Sequence, residues 1–232
     1  MTTAPEPAGA PARPWFGLVA LALLTFASCW FAFRLTRFDG VTSLWVVNGL
    51  LTGTLLLTPK SQWRDWMLSG ALGQILARLL IGDSWLQIVG LGAINLLECG
   101  IVAYWVRRHV TNLRNAPSLG VVSRDAFTST LVACLISATL ALPITLTRSG
   151  VVALPAWGSW FSAHVLGMVI FATLTVCAFQ RRVRLFGARG RRRDFAACVA
   201  LLLLVCALAF GQERYSLLFL VYLPFLLLAF RH

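Results

Sequence analysis

Asn95 and Glu98 stand three residues apart inside SWLQIVGLGAINLLECGIVAYWV, a stretch otherwise apolar enough to cross a bilayer. An amide and a carboxylate are costly in hydrocarbon unless they meet a partner or line a water-filled cavity. Their spacing sets them on similar faces of one helix, which must turn toward a bundle interior and away from lipid. Asn48, Gln74, Arg78 and His164 interrupt other apolar runs in the same way. With Trp45 and Trp160 nearby, these four are candidates to line a pocket open to the outer side. A guanidinium beside an imidazole and amides suits a small anionic or zwitterionic ligand. The competing reading has Arg78 reaching to lipid headgroups while the others bond between helices. For Asn95 and Glu98 the alternatives are a structural hydrogen-bond hub, a proton-linked or conformational switch, and a transport site.

The elements that must position these residues are membrane helices. Hydrophobic residues make up 59% of the chain and charged ones 12%, which excludes an ordinary soluble domain. Eight apolar stretches can be marked, roughly 15–34, 42–57, 63–81, 84–106, 126–147, 158–179, 195–210 and 216–230. The second, seventh and eighth are short for a full crossing. None shows the alternation of a barrel strand, so the expected fold is an all-α, polytopic bundle of about eight spans. The first 14 residues, rich in Pro and Ala, form an expected disordered tail, and residues 15–232 form the membrane domain.

Charge orients the bundle. With eight spans, fifteen of the twenty Lys and Arg residues fall on the side of the two termini, which places both in the cytoplasm. Seven of them, Arg181, Arg182, Arg184, Arg189, Arg191, Arg192 and Arg193, lie in one loop that is expected to contact lipid headgroups. The net charge of +12 is thereby a topology signal, and a nucleic-acid partner is not expected. All six cysteines fall in or beside spans without metal or disulfide spacing, so they are expected to be packing residues. No nucleotide loop, catalytic triad or metal signature is present, and the three histidines are too scattered to hold a haem; no cofactor is expected. Pro143 interrupts the fifth stretch and is a candidate hinge.

Counting helical rise from the stretch ends gives depths from the outer surface. Arg78 comes out at roughly 5 Å, Asn48 and His164 at roughly 9 Å, and Asn95 and Glu98 at roughly 16 and 21 Å. Two polar layers are expected on that count, with no basic partner for Glu98 and no Arg78–Glu98 pair.

Residues 44–109 carry W-x-x-N-G (Trp45, Asn48, Gly49), a leucine-rich segment ending in Pro59, and N-x-x-E (Asn95, Glu98). Together with WFSAHVLGMV around Gly167 and the closing YLPFLLLAFRH, this pattern resembles the first-described type of bacterial membrane-associated sensor domain. The resemblance implies a sensory bundle in the inner membrane, read by a cytoplasmic output such as a diguanylate cyclase, a cyclic-di-GMP phosphodiesterase or a two-component histidine kinase. It implies no enzyme within the bundle itself. In the Trp-rich helix, where that family often carries an acid, this chain has His164, which implies a different ligand or a response to pH. Two other readings remain from the residues: a proton-coupled secondary transporter using Glu98, and a structural anchor that forms a homodimer.

Overall fold

The computed structural model describes residues 14–35, 37–38, 41–42, 44–109, 119–148 and 150–179, with isolated positions at 197, 200, 201 and 204. Six helices form its first unit: α1 (Pro14–Leu35), α2 (Val46–Leu57), α3 (Trp63–Leu80), α4 (Trp85–His109), α5 (Leu119–Thr145) and α6 (Ala153–Phe179). Between α1 and α2 the backbone pairs Arg37–Phe38 (β1) with Val41–Thr42 (β2) antiparallel, a small departure from an all-helical chain. Residues 181–232 cluster as a second unit, in which Ala197, Ala200, Leu201 and Leu204 are helical. The seventh and eighth stretches, the arginine-rich loop at 181–193 and the N-terminal tail lie outside the described residues apart from those positions.

Among the described residues four helices, α1, α4, α5 and α6, are long and apolar enough to cross a membrane by themselves. The other two have specific reasons to fall short. Helix α3 is two-faced: Ser69, Gly70, Gly73, Gln74, Ala77 and Arg78 are buried, while Leu68, Leu72, Leu76 and Leu80 are exposed on the opposite side at four-residue intervals. Its mean hydropathy is lowered by the buried Gln74 and Arg78 and by the exposed Arg64 and Asp65 of its first turn. Helix α2 has 12 residues, about 18 Å, and eight of them are buried. It starts inside the bundle, because the Trp45 amide donates to the Ala163 carbonyl of α6 at 3.2 Å. It stops before Pro59, whose ring bars the preceding residue from helical backbone.

The ends of the remaining helices follow from local chemistry. At the start of α4, the Ser84 amide donates to Gln87 Oε1 at 3.1 Å and the Gln87 amide donates to Ser84 Oγ at 3.4 Å, a reciprocal cap. Gly82, at φ 76°, turns the chain out of α3 in a conformation that other residues resist. After α2, Trp63 Nε1 donates to the Leu55 carbonyl at 2.9 Å and so fastens the start of α3 to the last turn of α2. Trp63→Phe is expected to cost about 1 kcal/mol, seen as a lower midpoint when the lipid-reconstituted protein is titrated with denaturing detergent.

Small residues let the helices approach. A methyl group on Gly73 would fall 2.4 Å from the Ala22 carbonyl oxygen, so α1 and α3 touch through their backbones. Between α2 and α6 the approach is closer: a Cβ on Gly167 would lie 1.8 Å from the Trp45 carbonyl oxygen, and one on Gly49 would lie 2.3 Å from the Gly167 carbonyl oxygen. Leu51, Leu55, Val102, Val106 and Met168 fill the apolar core between α2, α4 and α6, with Cys99 packed among them. Cys29, Cys99 and Cys134 are free and buried, as expected of packing residues, whereas Cys177 is exposed.

Candidate functional site

Above that core the polar residues of five helices converge. Glu98 of α4 is fully buried and its carboxylate accepts three hydrogen bonds. Asn48 Nδ2 of α2 donates to Oε1 at 2.9 Å. Ser137 Oγ of α5 and His164 Nδ1 of α6, the latter at 2.8 Å, both reach Oε2. Because a carboxylate accepts, the imidazole hydrogen belongs on Nδ1. The 3.4 Å approach of Asn48 Nδ2 to that nitrogen is then a contact between donors. Asn48 Oδ1 accepts from Trp45 Nε1 at 3.1 Å, and Asn95 Nδ2 donates to Gln74 Oε1 of α3 at 2.7 Å. Asn95 Oδ1 lies 3.4 Å from Asn48 Nδ2, which closes the network. Trp160 Nε1 adds a bond to Ser137 Oγ at 3.3 Å.

Of the outer layer expected from depth counting, Asn48, Gln74 and His164 therefore join Asn95 and Glu98. Helix α6 begins at Ala153, five residues earlier than the apolar stretch indicates, which carries His164 to about 17 Å along its helix, beside Asn95 at about 15 Å on α4. Asn48 joins them because the entry to α2 is interior. Glu98 thus has the imidazole of His164 as its partner, contrary to the expectation that no basic group reaches that depth. That Glu98 faces the bundle interior, and that hydroxyl and amide groups bond it, hold as expected.

Arg78 is only 3% exposed, which removes the reading in which its side chain reaches out to lipid headgroups. Its Nη1 donates to Asp83 Oδ2 at 2.8 Å, and Arg148 Nη2, from the turn after α5, bonds the other oxygen of the same carboxylate. As expected from depth, Arg78 does not pair with Glu98. Its guanidinium carbon lies 5.4 Å from the Phe33 ring centre and 5.7 Å from that of Trp45. Arg78 Nε and Gln74 Nε2 are buried donors with no acceptor among the described residues.

A cavity of about 70 Å³ lies between the arginines and the hub. Arg78, Arg148, Trp45, Trp160, His164 and Phe33 are among its walls. His164 stacks on Trp160 with ring centres 4.4 Å apart and on Trp45 at 5.7 Å, so one imidazole borders the cavity and also binds Glu98. Of the six residues expected to meet a ligand, Trp45, Arg78, Trp160 and His164 line this space; Asn48 and Gln74 are bonded within the hub. Trp45 is buried at the interior entry to α2, not at the membrane surface that its position near a span end suggests. Pro143 is exposed two residues before the end of α5.

Comparison with known proteins settles the lineage. The MASE1 family model matches residues 15–232. The chain belongs to the MASE1 family. MASE1 domains are membrane sensory domains, and this one is a membrane protein by its apolar helices as well. No curated protein and no solved structure matches the chain. In this MASE1 domain the motif residues meet in space: Trp45 just before α2, Asn48 and Gly49 of α2, Asn95 and Glu98 of α4, and Gly167 of α6 build one junction. Ser137, Asp83 and Arg148 complete the site and were not singled out from sequence. A serine in a membrane helix commonly bonds its own backbone, as Ser137 does to the Cys134 carbonyl at 3.1 Å, so its type gives no signal. Asp83 had one: an acid five residues after a membrane-edge arginine. Among the described residues no group of three or more His, Cys, Asp and Glu side chains is arranged to hold a metal.

Proposed function

We propose that this MASE1 domain is an inner-membrane sensor in which a small anionic or zwitterionic ligand enters the cavity and shifts the helix packing read by a cytoplasmic output. The observation that carries the reading is His164, which forms part of the cavity wall and is a hydrogen-bond partner of the buried Glu98. Anything that moves the imidazole from the cavity side alters a junction shared by α2, α3, α4, α5 and α6. A sensor needs two packings that differ in affinity for the stimulus, and a polar junction among helices supplies discrete alternatives. Both termini in the cytoplasm, eight spans, and an output such as cyclic-di-GMP synthesis belong to this proposal; the distribution of arginines supports the orientation. The arginine-rich segment from Arg181 to Arg193 would rest against anionic lipid.

The test joins the chain to a diguanylate cyclase reporter at its C-terminus and follows cyclic-di-GMP in cells. Ser137→Ala and His164→Gln are expected to fix the output at one level across growth conditions that change it in the parent. An output that still responds in both variants, with the protein present in the membrane at parental amount, defeats the reading.

The buried Glu98–His164 pair beside a cavity favours one alternative, a proton-coupled transporter. That reading requires proton-driven solute uptake by proteoliposomes, lost in Glu98→Gln.

A further inference from the structure

The sensory reading leaves the ligand as a charge class. The walls of the cavity are more specific, and they begin with an arithmetic of donors. A guanidinium offers five N–H groups. Arg78 and Arg148 each bond Asp83 through one terminal nitrogen, and together they bring two positive charges to one carboxylate. The local excess is one cation, held by groups that are 3% and 25% exposed. Asp83 is not itself part of the cavity lining, whereas both arginines are. It holds one terminal nitrogen of each guanidinium, while both arginines border the cavity. Arg78 Nε, buried with no acceptor among the described residues, is a donor of the kind that native interiors rarely leave unmet.

Apart from Thr145 and His164 the rest of the lining is apolar. Phe33, Trp45, Leu91 and Trp160 belong to it, and Trp45 and Trp160 also stack on His164. On this measure one water occupies about 10–15 Å³, so a cavity of about 70 Å³ holds roughly five to seven heavy atoms. An anion that fits has a flat charged end for two guanidinium forks and a short hydrocarbon end. Asp83 already shows that carboxylate geometry suits this arginine pair.

We propose that the cavity binds a free short-chain carboxylate of about three to five carbons, held by Arg78 and Arg148 with its alkyl end against the apolar wall that includes Leu91 and Trp160. This rests on the sensory reading for its consequence but not for its chemistry. Asp83 is a positioning residue, and His164 is the group on which the alkyl end bears.

Binding of radiolabelled propionate to the full chain in lipid nanodiscs, measured by equilibrium dialysis, tests the assignment. The parent is expected to bind saturably, with propionamide at least tenfold weaker as a competitor, because the amide keeps the shape and loses the charge. Arg148→Gln is expected to weaken propionate binding at least tenfold; Arg148 sits in a turn, and Arg78 retains Asp83 in this variant, so the bundle persists. Equal competition by propionamide, undiminished affinity in Arg148→Gln, or the absence of saturable binding to folded protein overturns the proposal. Inorganic phosphate competing as well as propionate overturns it too, in favour of a phosphate or a lipid headgroup. The two readings fail separately. Propionate that binds without changing the output of the reporter fusion removes the sensory role and leaves the site. A reporter locked by His164→Gln in a protein that binds no propionate removes the carboxylate and leaves the sensor.

Discussion

Gly167→Ala is expected to destroy the junction between α2 and α6. The added methyl would sit 1.8 Å from the Trp45 carbonyl oxygen and 2.6 Å from its carbon, contacts with backbone that no side-chain rotation relieves. The helices must separate by more than 1 Å, on the order of what van der Waals contact demands, and the 3.2 Å bond from the Trp45 amide to Ala163 is lost with the separation. We expect a loss of about 3 kcal/mol or more, seen as a large drop in the detergent concentration that unfolds the reconstituted protein. Gly92→Ala is the control on α4: nothing lies within 4 Å of its would-be Cβ, so it is expected to be neutral or slightly stabilising. Equal midpoints for both variants would mean that the close approach at Gly167 does not exist.

Removing the carboxylate at the hub is the second large effect. Glu98→Ala leaves Asn48 Nδ2, Ser137 Oγ and His164 Nδ1 without their shared acceptor in a region that water does not reach. Breaking a buried pair from one side costs about 3–5 kcal/mol, because the partner stays behind unsatisfied. Glu98→Gln keeps the volume and an oxygen for Asn48, so its cost is expected to be about half as large, and the two variants should rank in that order in the same unfolding assay. An alanine variant as stable as the parent would show that the hub does not hold the bundle together.

Particular residues show what could be read in advance. Glu98 and Asn95 declare their interior position by type alone, since lipid tolerates neither. Helices α1, α4 and α6 announce themselves by length and apolarity, and the glycine and tryptophan of the Trp-rich segment mark a contact that the structure realises at Gly167 and Trp160. Depth was not legible. It depends on where each helix begins relative to the others, and the early start of α6 and the interior start of α2 are set by packing against Gly49 and Gly167. Those same two offsets brought His164 and Asn48 to Glu98 and left Arg78 apart from them. Arg148 and Asp83 escaped for a related reason: each belongs to a turn between spans, where a charge is unremarkable until the fold brings two turns together.

The glycine contact between α2 and α6 also restricts how this bundle can move. Sliding α6 by one turn along α2 would replace Gly167 with Ala163 or Phe171 against the Trp45 carbonyl, and neither fits a gap that excludes a methyl. Piston motion at this seam is thereby forbidden. What remains is rotation about it, with Gly167 as the pivot.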